Sequence, residues 1–306
     1  MPSIFLEPQV FDFHPYKVGS LPDHVNTIIR GMIAGKSATP TTQRPYATNN
    51  FNASDPVVTR NPDCFLGNFD YAAVSQQNGN NQNFGCTLIS SRHVIMCAHA
   101  PSSSPVVFMK SDGALVSRSI LATAELLPGN LGDTTIGILS SQITDITPAK
   151  ILPSNYWQHL AGIGCLEPPP SSILDSTVHN LLYTIIRAGH RPDDVEEPSF
   201  NVAKLAMITA NEPTAIYASI SNGPGGRDQA WQGSIAGGDS GSPVFIPVNG
   251  ALVLIGKMAF ASGSMGFMLT GQIKSDIEAV MTSLAVAQGD FTSYTLSEVD
   301  LTGFVL

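Results

Sequence analysis

Charge is what this chain has least of. Only 13% of its 306 residues are charged, against about 25% in an ordinary soluble domain, and the excess of acids leaves a formal charge of −9. A sparse, acidic surface repels a phosphate backbone, which argues against nucleic acid as a ligand. Long apolar runs are also missing: nothing approaches the roughly 18 consecutive apolar residues of a membrane helix, so no membrane partner is expected. The N-terminus MPSIFLEPQVFDFHPYK has no basic start followed by an apolar core. No secretory signal is therefore visible, which favours an intracellular over a secreted location. Cysteine is scarce as well. Cys64, Cys86, Cys97 and Cys165 show no CxxC or Cys/His spacing, so neither a disulfide-stapled mini-domain nor a metal site is expected. Cys86 and Cys97 could face each other across a hairpin; the other reading is buried free thiols.

What the chain does have is an apolar content of 43%, ample for a core, with 27 glycines and 22 prolines punctuating short runs of Val, Ile, Leu and Phe. That texture predicts an all-β body with frequent turns. Two stretches depart from it. In residues 23–34, DHVNTIIRGMIA, Val25, Ile28, Ile29, Met32 and Ile33 fall on one helical face, with Gly35 and Lys36 at the C-terminal end. Residues 275–288 open with Ser275-Asp276-Ile277-Glu278, a capping-box pattern, and place Ile277, Val280, Met281 and Leu284 at helical spacing. Residues 37–62 read as a linker or extended surface segment. The closing FTSYTLSEVDLTGFVL is strand-like and expected to pair with an edge or cover a surface. The strand-rich halves on either side of about residue 150 suit two similar barrels.

Near the three-quarter mark the chain reads GGDSGSPVF, Gly237 to Phe245. A serine hydroxyl is a poor nucleophile unless a base takes its proton and an acceptor orients that base. Of seven histidines, His99 stands out because it ends the run CTLISSRHVIMCAHA, where two apolar strands joined by Ser-Ser-Arg give way to polar chain. A strand end delivers a side chain to a cleft on a rigid support. His14, His24, His93, His159, His179 and His190 lie in contexts more typical of surface or structural residues.

Residues 71–100, YAAVSQQNGNNQNFGCTLISSRHVIMCAHA, resemble the first barrel of the chymotrypsin-like (trypsin-like) serine proteases, whose T-A-A-H-C segment carries the catalytic histidine. GDSGSP, Gly238 to Pro243, is similar to that family's nucleophile motif along its full length, and LGDTTIGILSSQITDITPAKILP resembles its D-I-A-L-L-x-L strand. The resemblance implies two six-stranded antiparallel β-barrels with a C-terminal helix and an N-terminal extension. The corresponding divisions are residues 1–61, 62–150, 151–274 and 275–306. It implies His99 as general base, Asp133 as its acid with Asp145 as fallback, and Ser240 as nucleophile. The backbone N–H groups of Gly238 and Ser240 would then form the oxyanion hole. The order His, Asp, Ser differs from that of α/β-hydrolases, and Ser242 stands where their G-x-S-x-G elbow needs glycine.

The resemblance also puts Ser234, with Ile235 beside it, at the base of the primary pocket, walled by the strand Lys257-Met258-Ala259-Phe260-Ala261 and by Gly266. No acid lies there to pair with a substrate Arg or Lys, so cleavage after apolar or small residues is expected. Three departures stand out. Phe84 and Ala100 replace the cysteines that bracket the histidine's hairpin, and Ala259 replaces the serine that backs the aspartate. No R-[IV]-[IV]-G-G activation sequence precedes the first barrel, so Asp239 needs another partner or the enzyme is active without cleavage. The expected partner is a protein or peptide substrate, with a possible further partner for the N-terminal extension and no cofactor. Two alternatives remain: a binding or structural protein with a blocked cleft, and an esterase using the same triad.

Overall fold

The structure, a computed structural model, describes residues 19–50, 57–75, 85–102, 104–126, 133–156, 159, 183–191, 194–212, 215–221, 229–231, 238–259, 264–267 and 273–304. Helix α1 runs Leu21–Ile33. Ser20 caps it, its hydroxyl accepting from Asp23 N, and Pro22 sits in the first turn. Leu21, Val25, Ile29 and Ile33 are buried at a spacing of four, and burying each such side chain contributes about 1.5–3 kcal/mol.

The described residues of the segment 37–62 form regular structure where a linker or extended surface segment was expected. The short helix α2, Pro40–Gln43, is closed by a Thr39–Thr42 capping box, and β1 (Tyr46–Asn50) pairs with β2 (Val57–Arg60). Buried Gln43 donates to Asn201 Oδ1 at 3.1 Å and to the Trp231 carbonyl at 3.2 Å, while Tyr71 donates to the Pro45 carbonyl at 2.7 Å. The composition looked loose because these ties are made by polar groups that sequence periodicity does not register.

The body is antiparallel β-structure in two large sheets. The first contains β3 (Val74–Ser75), β4 (Cys86–Leu88), β5 (His93–Cys97), β6 (Val106–Met109), β7 (Leu115–Arg118), β8 (Ile120–Glu125) and β9 (Thr134–Leu139), in the order β7-β6-β3-β4-β5-β9-β8. Among the described residues it has seven strands where six were expected. β4, β5 and β9 are buried residue by residue, as continuous apolar runs should be, whereas β8 alternates half-buried with exposed positions. Gly137 lets β5 approach β9 closely, since a Cβ there would lie 2.6 Å from the Met96 methyl.

The second sheet contains β10 (Tyr183–Arg191), β11 (Asp194–Glu212), β12 (Ala215–Ser221), β13 (Pro243–Val248), β14 (Ala251–Lys257) and β15 (Ser264–Phe267). Its order is β14-β13-β10-β11-β12-β15. Asn249 and Gly250, at φ 49° and 77°, make the tight turn between β13 and β14. Helix α1 packs on β10 and β13.

Helix α3, Lys274–Ala287, packs on β8 and β9. It begins one residue before the expected capping box, its N-cap is Ile273, and no side chain caps it. Glu278 is instead taken by the C-terminal tail, accepting from Leu296 N at 2.9 Å. The tail forms no strand beyond a single bridge. Ile151 N donates to Ser297 O and Val299 N to Ile151 O, both at 2.9 Å, while Tyr294, Leu296, Val299 and Leu301 are buried.

Cys64, Cys86 and Cys97 are buried free thiols. The β4–β5 register sets Thr87 opposite Ile95, which offsets Cys86 from Cys97. Burial pushes the Cys86 thiol up to about 12 and the other two to about 11. Cys165 lies outside the described residues.

Candidate active site

His99 follows β5 and Asp133 precedes β9, and these two strands are neighbours whose register pairs Cys97 with Thr134. Both residues therefore leave the first sheet at the same end. The Asp133 carboxylate takes two hydrogen bonds from one residue: His99 N donates to Oδ1 at 2.8 Å, and His99 Nδ1 meets Oδ2. The other imidazole nitrogen, Nε2, lies 2.8 Å from Ser240 Oγ. With Nδ1–H pointing at the carboxylate, Nε2 is the acceptor for the serine hydroxyl. Asp133 is 5% exposed, whereas the His99 side chain is 49% exposed. The acid is buried behind a base that faces solvent.

Ser240 belongs to the loop entering β13. Gly238 and Gly241 have φ of 104° and 86°, a conformation that side chains resist. Gly241 is also pressed against the other sheet, where a Cβ would lie 2.6 Å from the Gly85 carbonyl oxygen. Three backbone bonds fix the loop: Gly241 N to Met258 O and Met258 N to Ser242 O at 2.8 Å, and Ser242 N to Asp239 O at 2.9 Å. Asp239 is buried, lying so close to Gly189 that a Cβ there would meet its Oδ1 at 2.9 Å.

Asp133 itself sits at φ 49°, a region that costs a non-glycine residue roughly 1–3 kcal/mol and persists only where the surroundings over-determine it. Its carbonyl accepts from Ala98 N at 3.0 Å and from Lys257 Nζ at 2.6 Å. Lys257 was expected only as part of a pocket wall; its contact with the Asp133 main chain was not anticipated, although it stands as a lysine inside the otherwise apolar run ALVLIGKMAF. The fallback acid, Asp145, lies elsewhere: it pairs with Lys110 at 3.1 Å, and that bond holds its carboxyl below the ordinary range.

Of the expected pocket residues, Ala259 is buried just beyond β14, and Gly266 lies in β15, which packs beside β14. Ser234, Ile235, Phe260 and Ala261 lie outside the described residues. Among the described residues, one cluster of metal-ligating groups occurs, Cys97, His99 and Asp133, with ligand atoms within 4.8 Å of one another. Its donors are engaged with one another and with the main chain: the Cys97 thiol donates to Met258 O at 2.9 Å, and His99 Nδ1 is on Asp133.

No known family model matches the chain, and no curated protein matches it. Similar solved structures include human heparin binding protein, at 18% identity and a TM-score of 0.40, over 68% of this chain and 90% of that one. The Haemophilus influenzae Hap adhesin is another, at 13% identity and a TM-score of 0.45, over 87% of this chain and 27% of that one.

Proposed function

We propose that this chain is a serine endopeptidase of the chymotrypsin-like kind, cleaving peptide bonds through an acyl-enzyme. The observation that carries the reading is the unbroken line Asp133 Oδ2, His99 Nδ1, His99 Nε2, Ser240 Oγ. In this reading Ser240 Oγ attacks the substrate carbonyl while His99 Nε2 takes its proton. Asp133 holds the imidazole in the required tautomer and stabilises the imidazolium that forms. His99 then protonates the leaving amine, and water repeats the sequence on the ester. The N–H groups of Gly238 and Ser240 are assigned to the developing oxyanion; loss of one such donor typically slows the reaction about a hundred- to a thousandfold.

The same reading takes residues 62–150 and 151–274 as two barrels meeting at this site, with residues 1–61 before them and 275–306 after. It assigns Ser234, Ile235, Ala259, Phe260, Ala261 and Gly266 to a pocket for an apolar or small side chain. An Arg or Lys in such a pocket would be buried without an acid to pair with it. The exposure of the His99 side chain favours an open site over a binding protein with a covered cleft.

A fluorophosphonate probe tests the reading. Labelling that maps to Ser240 by mass spectrometry and vanishes in Ser240→Ala is the expected result. An unlabelled, folded wild-type protein would favour the binding role, and turnover of esters but never of peptides would favour an esterase.

A further inference from the structure

Lys257 closes β14 between Gly256 and Met258 and is only 2% exposed. A lysine buried to that degree needs polar partners to be tolerated. Its Nζ donates to the main-chain carbonyl of Asp133 at 2.6 Å and lies 3.4 Å from Cys97 Sγ. Around this contact the three parts of the candidate site are stitched together. Cys97, at the end of the strand that delivers His99, donates its thiol to Met258 O at 2.9 Å, and the same carbonyl accepts from Gly241 N, the residue after Ser240. Ala259, two residues further along, is fully buried and has no side-chain donor to offer Asp133. The acid is thus braced through its main chain, in the left-handed conformation that its φ of 49° records, and the brace comes from the second sheet.

We propose that Lys257 is a positioning residue: by holding the Asp133 carbonyl it fixes the acid–base pair of the first sheet against the serine loop of the second. The proposal rests on the protease reading. Lys257 contacts neither substrate nor the reacting atoms in this role. It sets where Asp133 and His99 stand, and small displacements of such groups can cost about a hundredfold in rate.

The test compares wild-type enzyme with Lys257→Met, which keeps the length and removes the donor, and Lys257→Gln, which restores N–H groups on a shorter stem. The expected result for Lys257→Met is a fall in kcat of about a hundredfold with KM within about twofold, partly recovered in Lys257→Gln. The downfield proton resonance of the His99–Asp133 hydrogen bond should shift or broaden in step, a change that general loosening elsewhere would not produce. Unchanged kcat and an unchanged resonance in folded Lys257→Met overturn the proposal. If both variants fail to fold, nitrogen-15 labelling of lysine in the wild type decides. An Nζ signal that exchanges slowly with solvent supports the brace; one that behaves like a surface lysine overturns it. A wild-type protein that neither cleaves peptides nor reacts with phosphonate defeats the protease reading instead, a result on which the proton resonance and the solvent exchange of the Nζ signal do not depend.

Discussion

Asp133 combines a buried carboxylate, a left-handed backbone and two hydrogen bonds from a single histidine. That combination predicts how the residue responds to change. Asn tolerates the left-handed region nearly as well as Asp, so Asp133→Asn should fold. It can, however, hydrogen-bond His99 in the wrong tautomer, leaving Nε2 protonated and unable to accept from Ser240. Steady-state peptide hydrolysis should fall about ten-thousandfold, while Asp145→Asn, which alters only an exposed pair with Lys110, should leave the rate within about twofold. Equal losses in the two variants would move the acid away from residue 133. His99 and Ser240, which the structure brings within 2.8 Å, could be singled out in the sequence because each sits in a local motif at the edge of an apolar strand. For Lys257 the sequence suggested only a pocket wall, because its contact with the Asp133 carbonyl joins residues 124 apart and no short stretch of sequence records it.

At the scale of elements, the C-terminal helix and tail are fastened over β5 through a polar cluster. Arg92 pairs with Asp290 and donates to the Leu139 carbonyl at 3.0 Å, Tyr294 donates to Asp290 at 2.5 Å, and Gln142 donates to Tyr294 at 3.0 Å. His93 lies beneath this cluster, fully buried, with Nδ1 2.9 Å from Ser90 Oγ and its ring edge-on to Tyr294 at 4.8 Å. Burial pushes the imidazole from 6.5 down to about 4. Because the unfolded chain binds that proton more readily, the contribution of His93 is complete above about pH 6.5 and is lost as the pH falls towards about 4. Its full size is about 3 kcal/mol. His24 and His159, also lowered by burial, act in the same direction. Denaturant unfolding between pH 7.5 and 4.5 should therefore show a shallower pH dependence in His93→Gln than in wild type, and identical slopes would contradict the assignment. Helices α1 and α3 could be read from apolar spacing alone, to within two residues at each end. The capping box at Ser275 misled because Glu278 had a distant partner, Leu296 N, that competes for its carboxylate.

For the whole molecule, the mostly β character was legible from composition, whereas the strand count was not: among the described residues the first sheet has seven strands rather than the six that the resemblance implied. β7 and β8 are separated by a single residue, Ser119, yet stand at opposite ends of the sheet. In sequence they read as one run, and only the long-range pairing divides them. The hairpin and helix between residues 40 and 60 were hidden for a related reason, since Gln43, Asn61 and Tyr71 secure them through hydrogen bonds to main chain rather than through periodic apolar faces. The two large sheets meet where Gly241 touches Gly85 and Lys257 touches Asp133, so the serine of one sheet faces the histidine of the other. The central claim is that this junction hydrolyses peptide bonds. Digestion of a peptide library by wild-type protein and by Ser240→Ala, with cleavage sites read by mass spectrometry, tests it most directly. The account predicts cleavage after apolar or small residues by the wild type and none above background by the variant; equal digestion by the two proteins, or none by a folded wild type, would contradict it.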